Sequence, residues 1–272
     1  MNLVERKMVD ILTDLRENHH CEGVKAEFEA EGTRLEEALR LKEVVTKAGI
    51  DLTIKIGGGE ALRDMYEART IGVSRIVAPM VETPYAMKKF LGAAQLAFPP
   101  EERDDTKFVV NIETITACKE FERMLALPEI EHLSGVVVGR VDLTGSLGLS
   151  REDINRDEIR EIATGVFKAA KAKKKDLECA IGGGVSQHSL PFFKAMPDGL
   201  LDIYETRKVI FKCPEALGPN APAGILKAVG FELLWLQNKR EYYRSIFDED
   251  AARITMLEQR YKREIEQTGA KL

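Results

Sequence analysis

The sequence predicts an α/β fold built on parallel strands, and three observations carry that prediction. Short apolar runs alternate with amphipathic helical stretches between Val24 and Phe211. Several runs end in glycines or acids, as parallel strands do where the chain turns into a helix. The stretch Phe108–Gly148 reads as strand, helix, strand, with Glu113 and Asp142 at the two strand ends.

Taken in order, Leu3–Arg16 carries apolar residues at helical spacing, and a turn with His19, His20 and Gly23 follows. Val24–Gly32 alternates Val24, Ala26, Phe28 and Ala30 with Lys25, Glu27, Glu29 and Glu31, the period of a strand. Leu35–Ala48 is the next helix, stopped by Gly49 as its C-cap. Asp51–Gly59 is a strand with Thr53 and Lys55 on its polar face. Its exit, Gly57–Gly58–Gly59, leads into a helix expected over Glu60–Ile71. A glycine-rich strand exit before a helix N-terminus suits an anion, although a tight turn explains it equally well. The same phrase recurs at Gly182–Gly183–Gly184.

Ser74–Pro84 supplies the third strand, with Glu82 at its exit, and Tyr85–Phe98 the helix after it. In Phe108–Thr114, Val109, Asn111 and Glu113 share one face; in Gly135–Leu143, Val138, Arg140 and Asp142 do. Parallel strands bridged by a helix point the same way, so Glu113 and Asp142 emerge at one end of the sheet. Two converging carboxylates suit a hard divalent cation, though either alone equally suits a helix cap. A helix ending in lysines, a sixth strand ending at Gly184, His188 in the loop beyond, and a seventh strand over Leu200–Phe211 complete the pattern. The seventh has a polar end containing Glu205, Arg207 and Lys208. Seven strand–helix units are readable, and an eighth strand is not. From Ala223 the chain reads as two successive helical segments, rich in exposed-type apolar and aromatic residues that suit subunit packing.

With 272 residues, 44% hydrophobic and 31% charged, the chain can bury a large core. A net charge of −5 with no basic stripe excludes a nucleic-acid partner. Four scattered cysteines without a C-x-x-C pair point to reduced thiols. The charged N-terminus lacks the apolar core of a signal peptide, and no run reaches membrane-spanning length. A soluble cytoplasmic protein is expected.

The segments Ile76–Thr83 (IVAPMVET), Val109–Thr114 (VVNIET) and Gly139–Gly148 (GRVDLTGSLG) resemble the HpcH/HpaI aldolase and citrate lyase β-subunit family, over roughly Gly23 to Phe211. The resemblance implies a TIM-type (β/α)8-like barrel with an N-terminal helix and a C-terminal helical extension. Residues 1–220 would form the barrel and 221–272 C-terminal helices that join copies into a homo-oligomer. It also implies a divalent metal, Mg²⁺ first and Mn²⁺ or Co²⁺ as substitutes, held by Glu113 and Asp142. The reaction implied is carbon–carbon cleavage or formation on a pyruvate-like 2-oxo acid through a metal-stabilised enolate.

In a closed barrel the charged face of Val24–Gly32 points inward, which places Lys25 and Glu27 among substrate-binding groups. Gly57, Gly58, Gly183, Gly184 and Arg207 join them. Lys55 matches the family's arginine, and Arg140, where many relatives have proline, is expected to supply a guanidinium. The family's acid–histidine pair is absent, so Glu29 or Glu31 is expected as the base, with Lys25 or His188 as alternatives. Two other readings stand beside this one: a citrate-lyase-like CoA-ester lyase, and a barrel that binds a metabolite or partner without catalysis.

Overall fold

The β-branched runs of the sequence become the staves of a closed barrel in the computed structural model, which describes residues 1–268. The strands are β1 (Cys21–Glu27), β2 (Asp51–Lys55), β3 (Arg75–Ala78), β4 (Lys107–Asn111), β5 (Gly135–Gly139), β6 (Glu178–Gly182), β7 (Ile203–Glu205) and β8 (Val209–Lys212). Helices surround them: α1 (Leu3–His19), α2 (Leu35–Ala48), α3 (Leu62–Ile71), α4 (Pro84–Ala97), α5 (Pro100–Arg103), α6 (Ile115–Leu125), α7 (Arg140–Ser146), α8 (Asp157–Lys173), α9 (Leu190–Lys194) and α10 (Ala221–Thr268). Gly49, at φ +70°, ends α2 in the left-handed conformation that the sequence leads one to expect.

Strands β1 to β7 run parallel in sequential order, and β8 lies antiparallel between β7 and β1. The missing eighth strand is therefore the second half of the run Leu200–Phe211 that the sequence offers as one strand. A three-residue turn folds that run into a hairpin. The Thr206 N–H donates to Val209 O (2.9 Å), and Val209 N–H donates to Thr206 Oγ1 (3.0 Å). No helix intervenes, so the usual strand–helix periodicity fails at this point. The hairpin turn instead delivers Arg207 and Lys208 to the barrel mouth.

Inside the barrel, side chains stack in layers, as the closed geometry requires. Val77, Val109, Val137, Ala180, Ile203 and Ile210 form an apolar middle layer. Below it Arg75 pairs with Glu178 (2.6 Å), which also binds Lys107 (2.9 Å). This lower end opens into a cavity of about 210 Å³ lined by Glu22, Asp51, Thr53, Arg75 and Lys107, among others. Above the apolar layer the strands end in charged residues, and these build the site.

The second acid-bearing strand is shorter than its alternation suggests. It ends at Gly139, and Arg140–Ser146 is a helix, so Asp142 sits in the first turn of α7 and not on a strand face. A run of valines followed by Arg-Val-Asp-Leu satisfies both periods, and a short segment of this kind does not decide between them. The chain divides into a unit of Met1–Glu232 and a second unit beginning at Leu233. Helix α10 is one uninterrupted helix of 48 residues. Among the described residues, no helix is long and apolar enough to cross a membrane.

Candidate active site

The upper rim begins with β1. Lys25 and Glu27 alternate with Val24 and Ala26, so both project into the barrel, and both are buried. Lys25 Nζ pairs with Glu205 Oε1 (2.6 Å) and lies 3.7 Å from Glu27 Oε1. Lys55 Nζ reaches Glu27 Oε2 (3.0 Å). A chain Lys55–Glu27–Lys25–Glu205 thus crosses the barrel from β2 to β7. Burial alone works against the Lys25 ammonium, but Glu205 and Glu27 outweigh it and hold its pKa above the ordinary lysine value. Lys25, considered from sequence as a possible base, is engaged as the cation of two ion pairs. Desolvation likewise opposes the Glu27 carboxylate, and Lys25 and Lys55 together bring its pKa below the usual range.

The strand ends at Glu27, so Glu29 and Glu31 lie in the following turn. Glu31 is latched to the β7–β8 hairpin by Lys208 and by Arg207 Nε (3.1 Å), and it also accepts from the Glu27 N–H (3.2 Å). Glu29 is exposed and stands beside Gly57. Of the two candidate bases, Glu31 is occupied with holding loops together. Glu29 forms no ion pair among the described residues. His188 is exposed in a short helical turn, its N–H capped by Ser186.

The β2 exit is not the open anion cradle that its three glycines suggest. Asp64, in the first turn of α3, already accepts the Gly57 N–H (2.7 Å), so a carboxylate of the chain fills that role. At the β6 exit, Gly183 (φ +82°) and Gly184 (φ +63°) are glycine because of packing. A Cβ on Gly183 would lie 2.7 Å from the Val141 nitrogen and 2.9 Å from that of Arg140. These residues let the β6 loop seat on the start of α7.

Arg140 departs furthest from its expected role. It is 0% exposed and packs against the rings of Phe192 and Phe193 at 5.1 and 5.0 Å. Its guanidinium donates to the carbonyls of Gly182 (3.1 Å) and Gly183 (2.9 Å), to Asn155 Oδ1 (2.6 Å) and to Ser189 Oγ (3.2 Å). Desolvation brings its pKa down to about 10. Buried in this way, Arg140 ties the β6 loop to the start of α7, and its guanidinium is taken up by protein acceptors. Its position inside a helix, one turn earlier than the strand reading allowed, accounts for the difference.

Glu113 follows β4 directly and is 3% exposed. Its Oε1 accepts the Met80 N–H (3.0 Å) and its Oε2 the Asn111 side-chain amide (2.9 Å). Burial raises its pKa; the Met80 hydrogen bond and Lys55 act against that, and the neighbouring charge of Asp142 adds to it. Glu113 and Asp142 are therefore close enough to repel, while Lys55 is close enough to favour the ionised form. Glu113 packs directly over Gly139 of β5, where any Cβ would overlap its carboxylate.

A family model described as HpcH/HpaI aldolase/citrate lyase matches residues 33–179. The chain belongs to that family. Its activities are of the aldolase and lyase type, on small-molecule substrates. Solved structures agree on the barrel. The HpcH/HpaI aldolase from Desulfitobacterium hafniense DCB-2 is 15% identical, with a TM-score of 0.61 over 75% of this chain and 82% of that one. An HpcH/HpaI aldolase/citrate lyase family protein from Burkholderia cenocepacia J2315 is 14% identical, with a TM-score of 0.58 over 90% and 92%. The citrate synthase SbnG is 13% identical, with a TM-score of 0.59 over 86% and 90%. No curated protein sequence matches the chain.

The family's use of a divalent metal can be tested against these residues. Among the described residues no cluster of three or more His, Cys, Asp or Glu could hold a metal. The pair Glu113 and Asp142 is nonetheless a fit for a cation that takes few protein carboxylates and keeps positions for water and substrate. Neither acid is in an ion pair among the described residues. In addition, Asn111 Oδ1, beside Glu113, is buried without a hydrogen-bond partner there. A buried oxygen without a partner beside two carboxylates that no ion pair engages is what a hard cation satisfies.

Three members of the site escaped the sequence. Asn111 lay on the same face as Glu113, a signal that pointed to it. Glu205 was visible only as part of a polar strand end. Met80, whose φ of +52° aims its N–H at Glu113, left no trace, because methionine has no preference for that conformation.

Proposed function

We propose that this chain is a divalent-cation-dependent carbon–carbon lyase or aldolase acting on a pyruvate-like 2-oxo acid. The observation that carries the reading is Glu113: a buried carboxylate in no ion pair among the described residues, within the field of both Asp142 and Lys55. Glu113 and Asp142 would hold the metal, with Mg²⁺ the natural occupant. Bound there, a divalent cation supplies Lewis acidity to the carboxylate and keto oxygens of a 2-oxo acid.

The chain's own residues account for the rest. Met80 N–H and Asn111 fix the Glu113 carboxylate in one orientation. Lys55, tied to Glu27 and felt by Glu113, places positive charge where the keto oxygen gains negative charge as the methyl proton leaves. Glu29, exposed at the β1 exit, takes that proton or returns it at the methyl carbon. The chain Glu27–Lys25–Glu205 keeps the barrel interior polar and fixed beneath the reacting atoms. Arg207 at the rim is the cation an anionic acceptor meets first. Copies associate through the C-terminal helix.

Calorimetric titration with Mg²⁺ and Mn²⁺ tests the metal assignment. The chain is expected to bind one ion, and Glu113→Gln and Asp142→Asn to lose at least tenfold in affinity while keeping their circular dichroism spectra. An absence of binding by the unaltered chain, or equal binding by both variants, would remove the proposal.

A further inference from the structure

Helix α10 beyond Glu232 repeats apolar residues at alternating spacings of three and four. Leu233, Leu236, Arg240, Tyr243, Phe247, Asp250, Ile254, Leu257 and Tyr261 fall on one seam. The apolar members Leu233, Leu236, Phe247, Ile254, Leu257 and Tyr261 are all about half exposed or more. A 3.5-residue repeat is the signature of a coiled coil, and a lone helix of this kind is marginal in water without a partner.

Two charged residues interrupt the seam, and their positions choose the partner. Glu241 pairs with Arg244, Glu249 with Arg253, and Glu264 with Arg260, all along the helix flanks. Arg240 and Asp250 belong to none of these pairs, and both are exposed. In a parallel, in-register pair of helices, Arg240 would face Arg240 of the second copy, and Asp250 would face Asp250. In an antiparallel pair centred on Ser245, Leu233 meets Leu257, Leu236 meets Ile254, Arg240 meets Asp250, and Tyr243 meets Phe247. The twofold axis repeats each layer. Every apolar layer then faces an apolar layer, and both charges are neutralised.

We propose that two copies of this chain join through an antiparallel coiled coil formed by residues 233–257 of α10, with Arg240 facing Asp250 of the other copy. Such an isologous contact closes on itself and gives a twofold dimer. The inference rests on the reading that copies associate through this helix, and adds orientation and register to it.

Sedimentation equilibrium on the full-length chain separates the two ideas. Leu236→Glu combined with Ile254→Glu breaks the seam in any orientation and should dissociate the helix-mediated dimer. Arg240→Asp alone and Asp250→Arg alone each set two like-charge layers in place of two opposite ones. Each should raise the dissociation constant roughly a hundredfold. The double variant Arg240→Asp/Asp250→Arg restores the layers and should return to within about tenfold of the unaltered chain. In a parallel pair the single variants would leave association unchanged and the double would gain nothing. That result, with a dissociating seam variant, overturns the register and keeps helix-mediated association. A monomer at micromolar concentration, or a seam variant that associates normally, overturns both.

Discussion

Replacing Gly139 with alanine puts a methyl group where the Glu113 carboxylate now lies. The backbone at Gly139 (φ −84°, ψ 97°) is one that alanine adopts freely, so the perturbation is steric alone. The new Cβ would overlap Glu113 Oε2 and come within 3.0 Å of Glu113 Cβ. The carboxylate must retreat by on the order of 1 Å, enough to break its hydrogen bonds to Met80 N–H and Asn111. Overpacking of this kind costs about 1–3 kcal/mol of stability, which a barrel of this size tolerates. Its effect on the site is larger. Displacing a metal carboxylate or its supporting hydrogen bonds lowers metal affinity by about 10–100-fold. The assay is Mn²⁺ titration followed by electron paramagnetic resonance, beside thermal melts of the same samples. Gly145→Ala, in the helix α7 that follows and with open space where its Cβ would lie, is the control and should match the unaltered chain or exceed its stability slightly. A folded Gly139→Ala variant that binds Mn²⁺ with undiminished affinity would refute the placement of the cation at Glu113.

Two further predictions follow from the same charges. Glu113→Gln should raise the melting temperature of the metal-free protein at neutral pH. The folded pKa of Glu113 lies above its unfolded value, so ionising it costs stability, and that cost is absent below the unfolded pKa and grows as pH rises through the folded one. The gain should therefore vanish near pH 4 in a pH series of melts (about the unfolded carboxylate value); an equal gain at both ends would contradict the assignment. Glu205→Gln should destabilise the fold by about 3–5 kcal/mol, because it strips the closest partner from the buried Lys25 ammonium. Urea unfolding measures this, and a loss below about 1 kcal/mol would mean that Glu27 alone holds Lys25.

Most of the barrel was legible because its strands and helices keep their periods from Cys21 to Glu205. The eighth strand was not, since a hairpin replaces the expected crossover helix and Leu200–Phe211 reads as one continuous run. Glu113 and Asp142 were legible as acids at strand ends. That Asp142 belongs to a helix was hidden by a sequence that fits both periods. Arg140 misled for a related reason: its charge suggested an active role, whereas its burial among Phe192, Phe193 and backbone carbonyls makes it a fastening. The glycines of the β2 exit misled too, because nothing near them in sequence announces that Asp64 folds back onto Gly57. The inward direction of the charges on β1 was legible from the alternation, but which acid each lysine binds is a matter of barrel closure and becomes readable only in three dimensions.

The most direct test of the central claim is solvent deuterium exchange into the methyl group of pyruvate, followed by NMR with and without Mn²⁺. Exchange that requires the metal, and that is lost in both Glu113→Ala and Asp142→Ala, is the predicted result. Exchange that proceeds without metal, or that survives either substitution, would contradict the account, as would no exchange at all.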